Sequence, residues 1–270
     1  MRSSPVVLRA TLVVLLLLLT GCSSAAGRSG DNPTPSAAQA RRPPALGACR
    51  SLAPRDIDQA TDGSPTVPCS GSHTAQTFAV GTFPAAVAAK GMHSAALGAY
   101  VYRRCHPRFQ RFLGADQSLV LRSTLTWAWF RSSSAAWKAG GHTWRCDVLG
   151  GGQQSKAFVP LPRTARGLLL GKPDDRWLVC VDGPTVSGSV KIPCSHPHTW
   201  RAVTTVVLGK AGDAYPGDRL SEVRTRDYCS GSVGAWMNYP VDYDYGYTWF
   251  HAAEWKTGNR RSICWAKTTQ

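Results

Sequence analysis

The sequence predicts an α+β protein of two homologous modules, each a small antiparallel sheet with one cysteine-bearing helix, stapled by disulfides. Three observations carry this expectation. A cysteine–histidine motif recurs in each half, eight cysteines follow the N-terminal region, and short alternating apolar runs flank one helical stretch per half. The 270 residues are 43% hydrophobic and 17% charged, a balance that suits a folded core and not a disordered chain. Collagen, coiled coil and a multi-span membrane protein are excluded, because there is no G-x-y period, no long heptad run and a single strongly apolar stretch.

That stretch is the first element in order. Arg2 and Arg9 form a basic start, and residues 11–19 (TLVVLLLLL) are too short for a confident membrane span, which needs about 20 apolar residues. Leu19-Thr20-Gly21-Cys22 comes directly after it and resembles a bacterial lipobox, in which small residues precede a cysteine that becomes acylated. Residues 1–21 are therefore expected to be a lipoprotein signal, with Cys22 carrying the acyl chains, palmitate among them. Two or three such chains suffice to hold a protein at the outer face of a membrane. Residues 22–46 are rich in Ser, Ala, Gly and Pro and are expected to form a flexible tether.

A repeat organises the remainder of the chain. Val67-Pro68-Cys69-Ser70-Gly71-Ser72-His73-Thr74 is matched by Ile192-Pro193-Cys194-Ser195-His196-Pro197-His198-Thr199. Trp129-Phe130 is echoed by Trp249-Phe250, and Trp137-Lys138-Ala139-Gly140 by Trp255-Lys256-Thr257-Gly258. So many matched anchors point to a tandem duplication, with modules over 47–150 and 173–270 and a connector over 151–172. In the first module a strand is expected after Cys69, a helix over Pro84–Leu113, and strands over Ser118–Arg131 and Thr143–Val148. In the second, strands are expected at Trp177–Val181 and Arg201–Leu208, a helix over Arg219–Met237, and strands at Tyr247–His251 and Ser262–Ala266. Four cysteines per module allow three pairings each. The element order selects Cys49–Cys69 and Cys105–Cys146, then Cys180–Cys194 and Cys229–Cys264, so that the second bridge of each module pins the helix to the last strand.

The order V/I-P-C-x-x-x-H, a strand, a Cys-bearing helix and W-x-x-G-x-R-x-x-x-C resembles the septum-formation domain family of actinobacterial exported proteins and lipoproteins. Trp255, Gly258, Arg260 and Cys264 match the last motif fully, whereas the first module has His142 where Arg is expected. The resemblance spans roughly 46–267 and implies a process, cell division, without implying a reaction.

Chemistry is sparsely marked. Cys69/His73 and Cys194/His198 offer thiolate and imidazole donors to zinc, but an exported protein oxidises paired cysteines, so a structural turn is the favoured reading and no metal is expected. No G-x-S-x-G, S-x-x-K or H-E-x-x-H motif occurs, and the chain after residue 22 has two glutamates, Glu222 and Glu254. The expectation is a non-catalytic protein without a cofactor, a hydrolase with an unmarked site being the remote alternative. Tyr243, Tyr245 and Tyr247 alternate with Asp242, Asp244 and Gly246 and would share one face of an extended segment, the best candidate for a binding surface. Wall glycan is the alternative ligand. Net charge is +6 over 47–150, +3 over 151–170 and +2 over 171–270. For an exported chain this favours anionic membrane or wall polymers, or an envelope protein, and no nucleic acid.

Overall fold

The computed structural model describes residues 36–152 and 155–268. The expected signal, Cys22 and the first part of the tether lie outside them. The tether expected over 22–46 ends in structure: α1 (Ala37–Arg41) opens on a Ser36–Gln39 capping box, buries Ala40 and lies on α5. The sequence hides this because five residues are too few to show a period.

The first sheet runs β1-β2-β4-β3, all antiparallel, with β1 at Cys49–Arg50, β2 at Ala75–Thr82, β3 at Thr126–Arg131 and β4 at Thr143–Leu149. β2 and β4 are central and largely buried, and β3 forms an edge. The helix expected over Pro84–Leu113 is two helices, α2 (Ala85–Ala88) and α3 (Ala95–Leu113). Gly91 takes a left-handed φ of 88° between them, and the Ser94 side chain accepts from Ala96 N–H to start α3. Leu97, Val101, Cys105, Phe109 and Leu113 recur at four-residue steps along α3 and are all buried. They meet Phe78, Trp144 and Val148 from the sheet, and Leu125 just before β3, in the main core. The strand expected from Ser118 begins at Thr126. Before it, Asp116 accepts from Leu119 N–H at 2.8 Å and caps a short helix, α4 (Gln117–Leu121). The turn after β3 holds α5 (Ser134–Lys138).

Beyond β4 the connector packs against this sheet. Leu161, Ala165 and Leu169 enter the main core, and Phe158 closes a smaller one with Leu52, Ala75, Phe130 and Leu149.

The second sheet runs β6-β5-β7-β9-β8, with β5 at Val179–Val181, β6 at Lys191–Pro193, β7 at Trp200–Val207, β8 at Tyr245–Thr248 and β9 at Arg261–Lys267. Against it lies α6 (Asp218–Trp236), and α7 (Ala252–Lys256) comes after β8. Trp177 belongs to a 3-10 turn at Asp175–Trp177, not to the strand expected there, because Asp174 caps that turn. The strand expected at Tyr247–His251 lies earlier, since Tyr247 pairs with Cys264 and sets the register. Each sheet has a register shift beside the bridged strand, between Thr77 and Ala79 and between Ala202 and Thr204.

Four disulfides join Cys49 to Cys69, Cys105 to Cys146, Cys180 to Cys194 and Cys229 to Cys264, with Cα separations of 5.3, 6.4, 4.9 and 5.2 Å. In each half one of them ties the long helix to a central strand. The two sheets meet at a seam. Arg122 donates to Val203 O at 2.9 Å, Thr205 Oγ1 to Ser118 Oγ at 2.8 Å, and Ser123 bridges to Leu178. Trp177 is buried in the first sheet's core, while Leu121 packs on the second's.

Candidate functional site

The cysteine–histidine motifs form two similar turns. His73 Nδ1 meets Gly71 O at 2.9 Å, and His198 Nδ1 meets His196 O at 2.8 Å, each ring reaching back two residues. Both rings are buried, and in each the Nε2 atom is without a hydrogen-bond partner among the described residues. A carbonyl oxygen can only accept, so Nδ1 is the donor in both turns. Cys180, Cys194 and His198 bring their ligand atoms within 4.8 Å of one another, but the two sulfurs are bonded to each other. Cys69 is likewise bonded to Cys49. With the sulfurs oxidised, each turn offers one imidazole and no thiolate, which does not make a zinc site.

The W-x-x-G-x-R motif builds a second repeated feature. Gly140 and Gly258 have φ of 84° and 101° just beyond α5 and α7, the left-handed residue that ends a helix and favours glycine. Two residues later, Arg260 lies over the Trp255 ring with its guanidinium carbon 3.6 Å from the ring centre. His142, which stands where the motif expects arginine, packs against Trp137 with centroids 4.5 Å apart and ring planes tilted by 48°. The departure from the motif thus preserves the contact.

The tyrosine tract is an edge strand with a ladder of rings. Tyr243, Tyr245, Tyr247, Trp249 and His251 succeed one another with centroid separations of 6.4, 6.4, 6.0 and 5.7 Å. The three tyrosines are half-buried against Cys229, Val233 and the bridged strand, and Tyr243 donates its hydroxyl to Ser230 O. Burial, aided by the charge of Glu222, holds the Tyr247 hydroxyl above the usual tyrosine range. Sequence reading finds no partner for this tract in the first half, but register does. Tyr247 faces Cys264 as Trp129 faces Cys146, and Tyr245 faces Ala266 as Trp127 faces Val148. The W-F pairs mislead here because Trp129 stands 17 residues before Cys146 whereas Trp249 stands 15 before Cys264, so the register-equivalent of Trp129 is Tyr247.

Along β3 the tryptophans border an open groove of about 530 Å³, also lined by Ile57, Asp58, Gln59, Ala60 and Gly152. A smaller crevice of about 240 Å³ lies at the seam, lined by Arg122, Arg201 and Trp236. Its two guanidinium groups are already engaged, Arg122 by the carbonyls of Ser118 and Val203 and Arg201 by Asp175.

One acid–base pair stands outside these features. His251 Nδ1 lies 2.6 Å from Asp218, whose carboxylate also accepts from the Tyr215 hydroxyl at 2.5 Å. These two hydrogen bonds hold Asp218 below the usual carboxylate range. The pair is open to solvent, and among the described residues no serine, threonine or cysteine side chain is hydrogen-bonded to His251. It has the acid and the base of a nucleophilic triad, without the nucleophile.

A protein family described as septum formation matches residues 46–264. No curated protein and no solved structure matches.

Proposed function

The chain belongs to the septum-formation family, and from that premise we propose that it is a non-catalytic, lipid-anchored envelope protein that binds a partner at the division site. Cys22 is the anchor in this reading, and the two sheets are tandem copies of one module. The observation that carries it is the matched pair of edge strands, β3 and β8, each presenting two aromatic residues at equivalent registers. Aromatic side chains suit interfaces because they bury much area for few rotatable bonds. The basic excess over 47–170 favours an anionic surface, membrane or wall polymer, next to the anchored end.

A second reading, wall-glycan binding, is favoured by the continuous ring ladder from Tyr243 to His251. In-cell cross-linking together with fluorescence localisation tests the first reading. Enrichment at septa and recovery of an envelope protein are expected. An even distribution over the cell surface, with normal septa after deletion, would count against a division role. Co-sedimentation with purified wall polymer that Tyr245→Ala abolishes would favour glycan.

A further inference from the structure

We propose that the open edge of β3 takes an extended segment of a partner protein by strand addition, the segment lying in the groove between β3 and Ile57–Ala60. This deepens the interaction reading above and rests on it.

The hydrogen-bond alternation of an antiparallel pair says which groups face the groove. Ser132 N–H donates to Thr143 O at 3.0 Å, so Thr126, Ala128 and Phe130 form the hydrogen-bonded pairs with β4. The N–H and C=O groups of Trp127, Trp129 and Arg131 therefore point the other way. Arg131 N–H already has a strand-like partner, Ala60 O at 3.0 Å. Before Ala60 the chain leaves the strand direction in the 3-10 turn Pro54–Asp58. The space it vacates is the groove, and among the described residues no backbone group outside β4 bonds Trp127 or Trp129. Two donors and two acceptors thus stand about 6.6 Å apart along one line, the two-residue repeat of a strand.

That spacing selects the ligand. A second extended backbone meets it rung for rung and continues the pairing that Ala60 begins. A sugar ring or a lipid headgroup has no such repeat. Ile57, Asp58, Gln59 and Ala60 line the groove beside the strand.

The test uses the full-length chain in detergent and a phage-displayed library of linear nine-residue peptides. Selected peptides are expected to slow amide exchange at Trp127 and Trp129, with Ala128 and Phe130 unchanged because they are already in the ladder. Methylating the peptide nitrogens that face Trp127 and Trp129 should weaken binding about fivefold for each bond lost. Peptide binding indifferent to N-methylation, or no peptide that protects these two amides, would overturn strand addition. So would slow exchange at Trp127 and Trp129 in the free chain that becomes fast when residues 23–35 are deleted, since the segment would then be the chain's own. If strand addition fails while cross-linking still recovers a septal partner, the broader interaction reading survives; loss of both sinks both.

Discussion

Asp147 accepts from Thr77 Oγ1 at 2.7 Å and from Arg145 Nε at 2.8 Å, and Arg145 also pairs with Asp62. Arg50 joins through Thr77, so two buried arginines are balanced by two aspartates under the first sheet. Burial alone would raise the Asp62 pKa, but hydrogen bonds from Ser64 and the nearby Arg145 outweigh it and hold the group below its ordinary 3.8. A depressed folded pKa means the ionised form favours folding. The gain is complete above the unfolded value and is lost as pH falls through the folded one. The stability difference between the natural chain and Asp62→Asn, read by urea midpoints from pH 7 down to pH 2, should therefore be largest at neutral pH and shrink below 3.8. None of this network was legible in the sequence. Arg145 and Asp147 are simply alternate residues of a strand, and Asp62 comes from a turn 83 residues away from Arg145. The repeated tryptophans were legible, because Trp137 and Trp255 carry the same contact with different partners.

The elements themselves were largely readable, and the errors share a cause. Long periodic segments such as α6 and β4 lie within a residue of their expected bounds. Expected elements failed where a cap or turn residue overrode the pattern: Ser94 splitting the Ala-rich helix, Asp116 making α4 from an apolar run. Strand register was beyond reach, since it is set by pairing across the sheet and the W-F motif is displaced by two residues. The bridges close loops of different length, and by chain entropy the loop length scales the gain. Cys105–Cys146 spans 41 residues and Cys180–Cys194 spans 14. Removing the first bridge by paired Cys→Ala substitution should cost about 4 kcal/mol, and removing the second about 3 kcal/mol. Urea denaturation of the two variants checks both size and order.

Across the whole molecule the two sheets behave as one body. The 3-10 turn that leads into β5 places Trp177 in the first core, and Leu121 returns the contact to the second. Calorimetry should show a single unfolding transition. Leu121→Asp, which puts a charge against Val179 and Trp200, should cost about 2 kcal/mol and lower that transition by about 5 °C without splitting it. Two separated transitions would mean that the seam is not cohesive. The recurring motifs let the sequence foretell two sheets, but their joining depends on single side chains that no motif marks.

The short helix α1 adds a geometric consequence. Covalently, the N-terminal segment leads into β1, one edge of the first sheet, yet α1 docks on α5, in the connection between β3 and β4. Gly141 makes that docking possible, since a Cβ there would lie 2.1 Å from Ala40 O. While α1 is seated, a pull on the N-terminus acts at the β3–β4 connection. Once it lifts, the same pull acts at β1. A five-residue helix thereby sets which flank of the sheet is turned toward whatever holds the chain's beginning, and which flank is presented away from it.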